Sequence, residues 1–357
     1  MTPERFRRTA ARFERLAVAH PGRYRLALAA LGAVTFAVLG FLAAMLRATT
    51  RAVDRPRGVP VTREEAPALF AALDEVRAQA PGPRLHAVLV SDELDAGVWQ
   101  TPRLGLPGAT LNELALGWPL LAALGPEALR SVLAHELAHV AGGHGESAAW
   151  VHRLRQTFDV LGPELEGRRG PLARALRGLL ASYRPWFSAA SLALARAGER
   201  EADREAARIA GPRATADALL GTRLAEHALA RHLQPRLRAA LAASAEPPER
   251  HLEDVPEALA LGMTGPTAEL ALLMALDERA RPGETHAPLS ERLAALGEVP
   301  RVPEPPPRSA AEALLGEAGP RIRLELERRW RERVAEGWAT AHARARGGGR
   351  RLARPSL

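Results

Sequence analysis

The sequence predicts a mainly helical α+β chain with a small β-sheet and one N-terminal transmembrane helix. Three observations carry this. Leu26 to Leu46 runs 21 residues without a charge, enough to cross a bilayer core of about 30 Å. Beyond residue 58 the apolar residues recur mostly at helical spacing. Only two short stretches there, Leu85–Val90 and Leu111–Leu116, read as strands.

Residues 1–25 form an Arg-rich segment, and 26–46 is apolar on every face with Arg25 and Arg47 at its ends. A cleaved signal peptide would have a shorter apolar core and a small-residue cleavage site, which LRATTRA is not. A buried soluble helix, also apolar all round, would not be expected to carry Arg at both ends. Arg7, Arg8, Arg12, Arg15, Arg23 and Arg25 precede the span; Arg47, Arg51, Arg55, Arg57 and Arg63 follow it. That slight excess places the N-terminus in the cytoplasm and the following domain outside it.

A folded domain is expected over 58–300. Thr62 and Glu65 form a capping-box pattern ahead of Leu69, Phe70, Leu73 and Val76, which predicts a helix over 63–79 ended by Pro81-Gly82-Pro83. Gly125-Pro126-Glu127 opens a helix that stops at Gly142-Gly143. Further helices are expected over 146–160, 172–197, 199–210, most of 213–243, 266–279 and Leu289–Leu296. Residues 301–357 read as a proline-rich linker (Pro303–Pro307), a helix over 309–342 broken near Gly319-Pro320, and an Arg/Gly-rich disordered tail from Ala343. The strand Leu111–Leu116 could be an edge that pairs with an extended peptide or an ordinary core strand, and its pattern fits both.

Composition narrows the chemistry. The 357 residues include no cysteine, which excludes disulfides, thiolate metal sites and a cysteine nucleophile. Arg supplies all 49 basic residues and the net charge is +8. A basic surface suits nucleic acid or anionic lipid. With no nucleic-acid motif and an apolar span present, the lipid bilayer is the expected partner. Oligomeric state leaves no trace in the sequence.

The strongest local signal is His135-Glu136-Leu137-Ala138-His139. Residues i and i+4 share a helix face, so both imidazoles can reach one ion, while the intervening glutamate can touch a water on that ion. On a helical wheel Val132, Leu129, Val140, Leu133 and Leu137 form one apolar arc, and Glu136 falls inside it next to Val132. A buried carboxylate needs a partner, and a zinc site supplies one. Zinc needs a third protein ligand and an open fourth position. His144 is one candidate, although Gly142 spaces a metzincin-like third histidine onto Gly145. Glu199 is the other: it shares a face with Asp203, which could brace a zinc-bound histidine. Glu201 fits a solvated acidic helix start.

The pairing of HELAH with Glu199-Arg200-Glu201-Ala202-Asp203 resembles the gluzincin peptidases related to HtpX and the CAAX prenyl proteases (peptidase family M forty-eight). Thr285-His286-Ala287-Pro288-Leu289-Ser290-Glu291-Arg292 resembles that family's T-H-P-x-x-x-x-R segment, with Ala287 in place of the proline. The resemblance spans roughly residues 60–300. It implies a zincin-like metalloprotease domain holding one Zn2+ per chain through His135, His139 and Glu199. Glu136 would be the general base, Asp203 a supporting carboxylate, and His286 and Arg292 would bind substrate or steady an oxyanion. The expected activity is hydrolysis of a polypeptide by a membrane-anchored endopeptidase. The alternative is a membrane-anchored scaffold that keeps zinc without catalysis, which would not need Glu136. Relatives insert membrane hairpins between the two motifs. Here Arg153, Arg155, Arg168, Arg169, Arg174, Arg177 and Arg184 fill that interval, which disfavours further spans and prenylated-peptide specificity. HtpX-type catalytic domains face the cytoplasm, opposite to the orientation read from the Arg count.

Overall fold

A computed structural model describes residues 19–20, 56–80, 82–102, 110–141, 170–278 and 287–352. The expected span 26–46, the helix 146–160, His144 and His286 lie outside the described residues. The chain divides into two compact units, Met1–Arg51 with His152–Trp186, and Ala52–Val151 with Phe187–Leu357. Within the first, the described part is mainly helical residues 171–186. All that follows concerns the second, except that one helix runs through both.

The second unit is mainly helical around a four-stranded mixed sheet. Its strands are β1 (Val59–Val61), β2 (Ala87–Ser91), β3 (Ala96–Pro102) and β4 (Thr110–Gly117), in the order β1-β2-β4-β3. β2 runs antiparallel to β1 and parallel to β4, in the register Val88 to Leu114. β3 closes antiparallel on β4, pairing Trp99 with Glu113. The strand expected over 111–116 is therefore interior, bonded on both sides, and the edge beside it is β3. β3 carries Gly97 and ends on Pro102, residues that weaken a strand pattern and suit an edge. β1 is only three residues long.

The helices are α1 (Pro67–Gln79), α2 (Trp118–Ala123), α3 (Pro126–Ala141), α4 (Pro171–Ala210), α5 (Pro212–Ala228), α6 (Gln234–Ala243), α7 (Val255–Gly262), α8 (Gly265–Asp277), α9 (Leu289–Leu296) and α10 (Ala318–Leu352). Leu69, Leu73 and Val76 of α1, Val88 and Val90 of β2, Leu114 and Leu116 of β4, and Leu129, Leu133 and Leu137 of α3 are buried in one core. α3 thus spends its apolar stripe on the sheet side. Its next face, with the histidines, is left at the core's margin.

Several boundaries differ from the sequence reading, each for a local reason. α1 starts at Pro67 rather than 63, because Thr62 N–H donates to Glu65 Oε2 (3.0 Å) and Ala66 N–H to Thr62 O (3.1 Å), closing a turn first. Residues 172–197 and 199–210 are one continuous helix, with Gly198 inside it. A wide turn at Leu229–Leu233 separates α5 from α6. The break before α10 falls at Gly316, whose φ of 52° suits glycine. Pro320 sits in the first turn of α10, where its missing N–H costs nothing. α10 continues to Leu352, through residues expected to be disordered. α7 had no counterpart in the sequence reading. Gly262 lets it cross α5 closely: a Cβ there would lie 2.3 Å from the Ala228 Cβ.

α10 is docked by a buried polar cluster. The Glu327 carboxylate accepts from Leu252 N–H (2.6 Å) and Glu253 N–H (3.2 Å) and meets His251 Nδ1 at 2.6 Å. Trp330 stacks on His251 with ring centroids 3.7 Å apart. Satisfied in this way, a buried carboxylate specifies one docking geometry for the helix.

Candidate metal centre

His135 and His139 stand one turn apart on α3, their rings edge to face with centroids 4.7 Å apart. Glu199 and Asp203 stand one turn apart on α4, both buried. They lie in the interior of a 40-residue helix, so Glu199 is not part of a solvated acidic helix start. Glu201, between them, is exposed. α3 is tied to α5 nearby, where the Ser131 hydroxyl donates to Thr215 Oγ1 (2.9 Å), which donates to Gly211 O (2.9 Å).

The two helices bring three donors to one point. His135 Nε2 and His139 Nε2 are 3.1 Å apart, and Glu199 oxygens lie 3.6 Å from the first and 3.5 Å from the second. The ligand atoms of the three residues all fall within 4.8 Å of one another. Ligands 2.0–2.2 Å from one tetrahedral ion would be separated by roughly 3.3–3.6 Å. The observed spacings fit that geometry. His135 Nδ1 lies 3.0 Å from Asp203 Oδ1. Donation from Nδ1 leaves the Nε2 lone pair facing the cluster.

Asp203 is held from its other side by Arg292 of α9, whose Nε and Nη2 donate to the two carboxylate oxygens at 2.8 and 2.6 Å. The structure thus joins Asp203 and Arg292, which the sequence placed at the site separately. Burial pushes the Asp203 carboxyl up, but Arg292 and His135 outweigh it and hold its pKa at about 2. Burial also pushes His135 down, yet the Asp203 and Glu199 carboxylates raise its pKa to about 9.

The signs follow from linkage. In the metal-free protein, His135 contributes stability that is fully present below its ordinary value of 6.5 and is lost as pH rises through about 9. Asp203 contributes stability present above 3.8 and lost as pH falls through about 2. At neutral pH the metal-free His135 is therefore protonated, and a metal must displace that proton. We expect zinc uptake at pH 7.5 in weak buffer to release about one proton per ion from this site. An indicator dye would record it; uptake with no proton release would contradict the arrangement.

Glu136 is half-buried rather than sunk in the core. It sits towards the Val132 side of the wheel's apolar arc and lines a cavity of about 410 Å³ that His135, Asp203 and Arg292 also border. The sequence reading had not assigned the far walls of this cavity. They come from the turn before β3 (Leu94, Asp95) and from α5 (Ala218, Arg223). None of these residues carries a motif, and only the folded chain brings them beside Glu136.

A helix pair that presents two histidines and a carboxylate to one point, with another carboxylate on an adjoining cavity, has the donor set of a metal-dependent hydrolytic centre. The model for Peptidase family M48 matches residues 76–299, and the chain belongs to that family. Among solved structures, the crystal structure of S. mikatae Ste24p aligns with 80% of this chain and 62% of its own, at 15% identity and a TM-score of 0.37. This chain's match thus spans less than two thirds of that protein's length. No curated protein matches the sequence.

Proposed function

We propose that the chain is a membrane-anchored zinc metalloendopeptidase. The observation that carries this reading is the convergence of Glu199 from α4 on His135 and His139 of α3, with Glu136 beside them on the cavity. His135, His139 and Glu199 would hold one zinc ion per chain. When bound, zinc supplies Lewis-acid chemistry, polarising a scissile carbonyl and acidifying a water.

The chain's own groups do the rest. Glu136 takes a proton from the attacking water and delivers it to the departing amine as the C–N bond breaks. Asp203 fixes the His135 ring, and Arg292 fixes Asp203. With Nε and Nη2 both engaged there, Arg292 suits a positioning role better than oxyanion binding. His286 remains assigned to the oxyanion by its place in the motif. Among the described residues β3 is an edge strand, and it begins at Ala96 on the cavity wall. An extended peptide paired along it would pass Glu136 in both directions, which suits cleavage of internal bonds.

The anchor is residues 26–46, and the Arg count orients the catalytic domain outside the cytoplasm. The test of the whole reading is casein cleavage by the purified full chain. A chelator should abolish cleavage and added zinc should restore it. Cleavage that persists at full rate in zinc-free protein would overturn the assignment.

A further inference from the structure

α7 and α8 form a helical corner bent by 80° at Met263-Thr264. One side of it is core: Val255, Leu259, Ala268, Leu272 and Ala275 are buried. The other side is also apolar. Leu261, Leu270, Leu273 and Met274 are 48%, 58%, 65% and 54% exposed. Leu270, Leu273 and Met274 follow one another at i, i+3 and i+4, so they form a single ridge on α8. Elsewhere among the described residues only Val299 and Leu324 are exposed large apolar side chains, and each is isolated in sequence. A concentrated apolar ridge marks a surface that meets something other than water.

We propose that this ridge rests on the lipid bilayer to which the chain is anchored. The inference depends on the membrane-anchored reading and adds the surface by which the catalytic domain meets the membrane. The short tether to the apolar segment selects lipid over a protein partner. The uncharged segment ends at Leu46, and β1 begins at Val59. The intervening twelve residues reach at most about 40 Å when extended, so the domain is confined near the bilayer. Tethering at that range raises the local concentration of lipid enough for a small ridge to suffice. None of the described helices is by itself long and apolar enough to cross a membrane. α7 and α8 together have the length and apolar composition of a broken span, but their 80° bend and the burial of one side in the protein core leave only the exposed ridge for lipid.

The contact has a consequence for substrate. Glu278, the first residue past α8, lines the catalytic cavity and is tied to Arg223 of α5 at 2.8 Å. A docked ridge would hold the cavity close to the headgroups, where it meets polypeptide segments emerging from the bilayer.

The cysteine-free sequence allows a direct test. Full-length Met274→Cys and Leu270→Cys proteins, each labelled with bimane, are reconstituted in phosphatidylcholine vesicles with brominated acyl chains. A labelled Leu324→Cys protein is the reference, and zinc content checks the fold of each. Quenching at positions 270 and 274 is expected to exceed that at 324 at least twofold, with blue-shifted emission. Equal or absent quenching in protein that floats with the vesicles overturns the docking and leaves the anchor standing. A blue shift without quenching shows that protein covers the ridge, and also overturns it. Failure of the full chain to float overturns the anchor and the docking together.

Discussion

A Glu136→Gln protein is expected to keep its zinc and lose its hydrolysis. Glu136 is not among the three residues whose ligand atoms converge, and glutamine matches glutamate in shape, so the metal cluster should survive. What disappears is a group able to accept a proton at the cavity wall. Positioned general bases contribute on the order of 10²–10⁴ in rate, and kcat/KM on one peptide should fall by about that factor. Metal per chain, measured on the same preparation, should remain near one. A zinc-loaded Glu136→Gln protein with turnover near the parent's would sink the mechanism and revive the zinc-keeping scaffold.

The sequence disclosed the site better than the fold because the site is built from two local patterns. His135 and His139 share a face through helical period alone, and so do Glu199 and Asp203. Each pair could be placed without knowing where its helix went. Their meeting is a tertiary fact, and only the family resemblance supplied it in advance. It was needed, because His144 competed with Glu199 on spacing. The Arg292–Asp203 fork joins residues 89 apart, and nothing in either segment's pattern announces the other. The sheet was read least well. β1 and β3 are short or carry Gly and Pro, so their hydrogen-bonding neighbours decide their conformation more than their own residues do. As a result β4, the only strand-like run in its region, was open to an edge role that belongs to β3. Glu327 shows the converse. Its sequence context is a charged amphipathic helix, yet it is buried because the 251–253 backbone offers it donors.

Among the metal-site variants, Glu199→Ala should have the largest effect on zinc. Structural zinc sites in peptides bind with about 10–16 kcal/mol. Losing one of three protein ligands should remove roughly a third of such a figure, which is a loss of about 10²–10⁴ in affinity. Asp203→Asn keeps all three ligands but weakens the acceptor that orients His135, so a loss of about 10–100-fold is expected. It would also leave Arg292, only 14% exposed, without its carboxylate partner, and some loss of stability should accompany it. Glu201→Ala should be neutral, since Glu201 points to solvent. His144→Ala should be neutral too, because Glu199 already completes the set with His135 and His139. Competition of each purified variant against a chelating dye ranks the four directly. The order expected is Glu199, then Asp203, with Glu201 and His144 indistinguishable from the parent. If His144→Ala sheds zinc while Glu199→Ala keeps it, the third ligand lies just past α3 as in a metzincin. The convergence of α4 on α3 would then be structural rather than metal-binding.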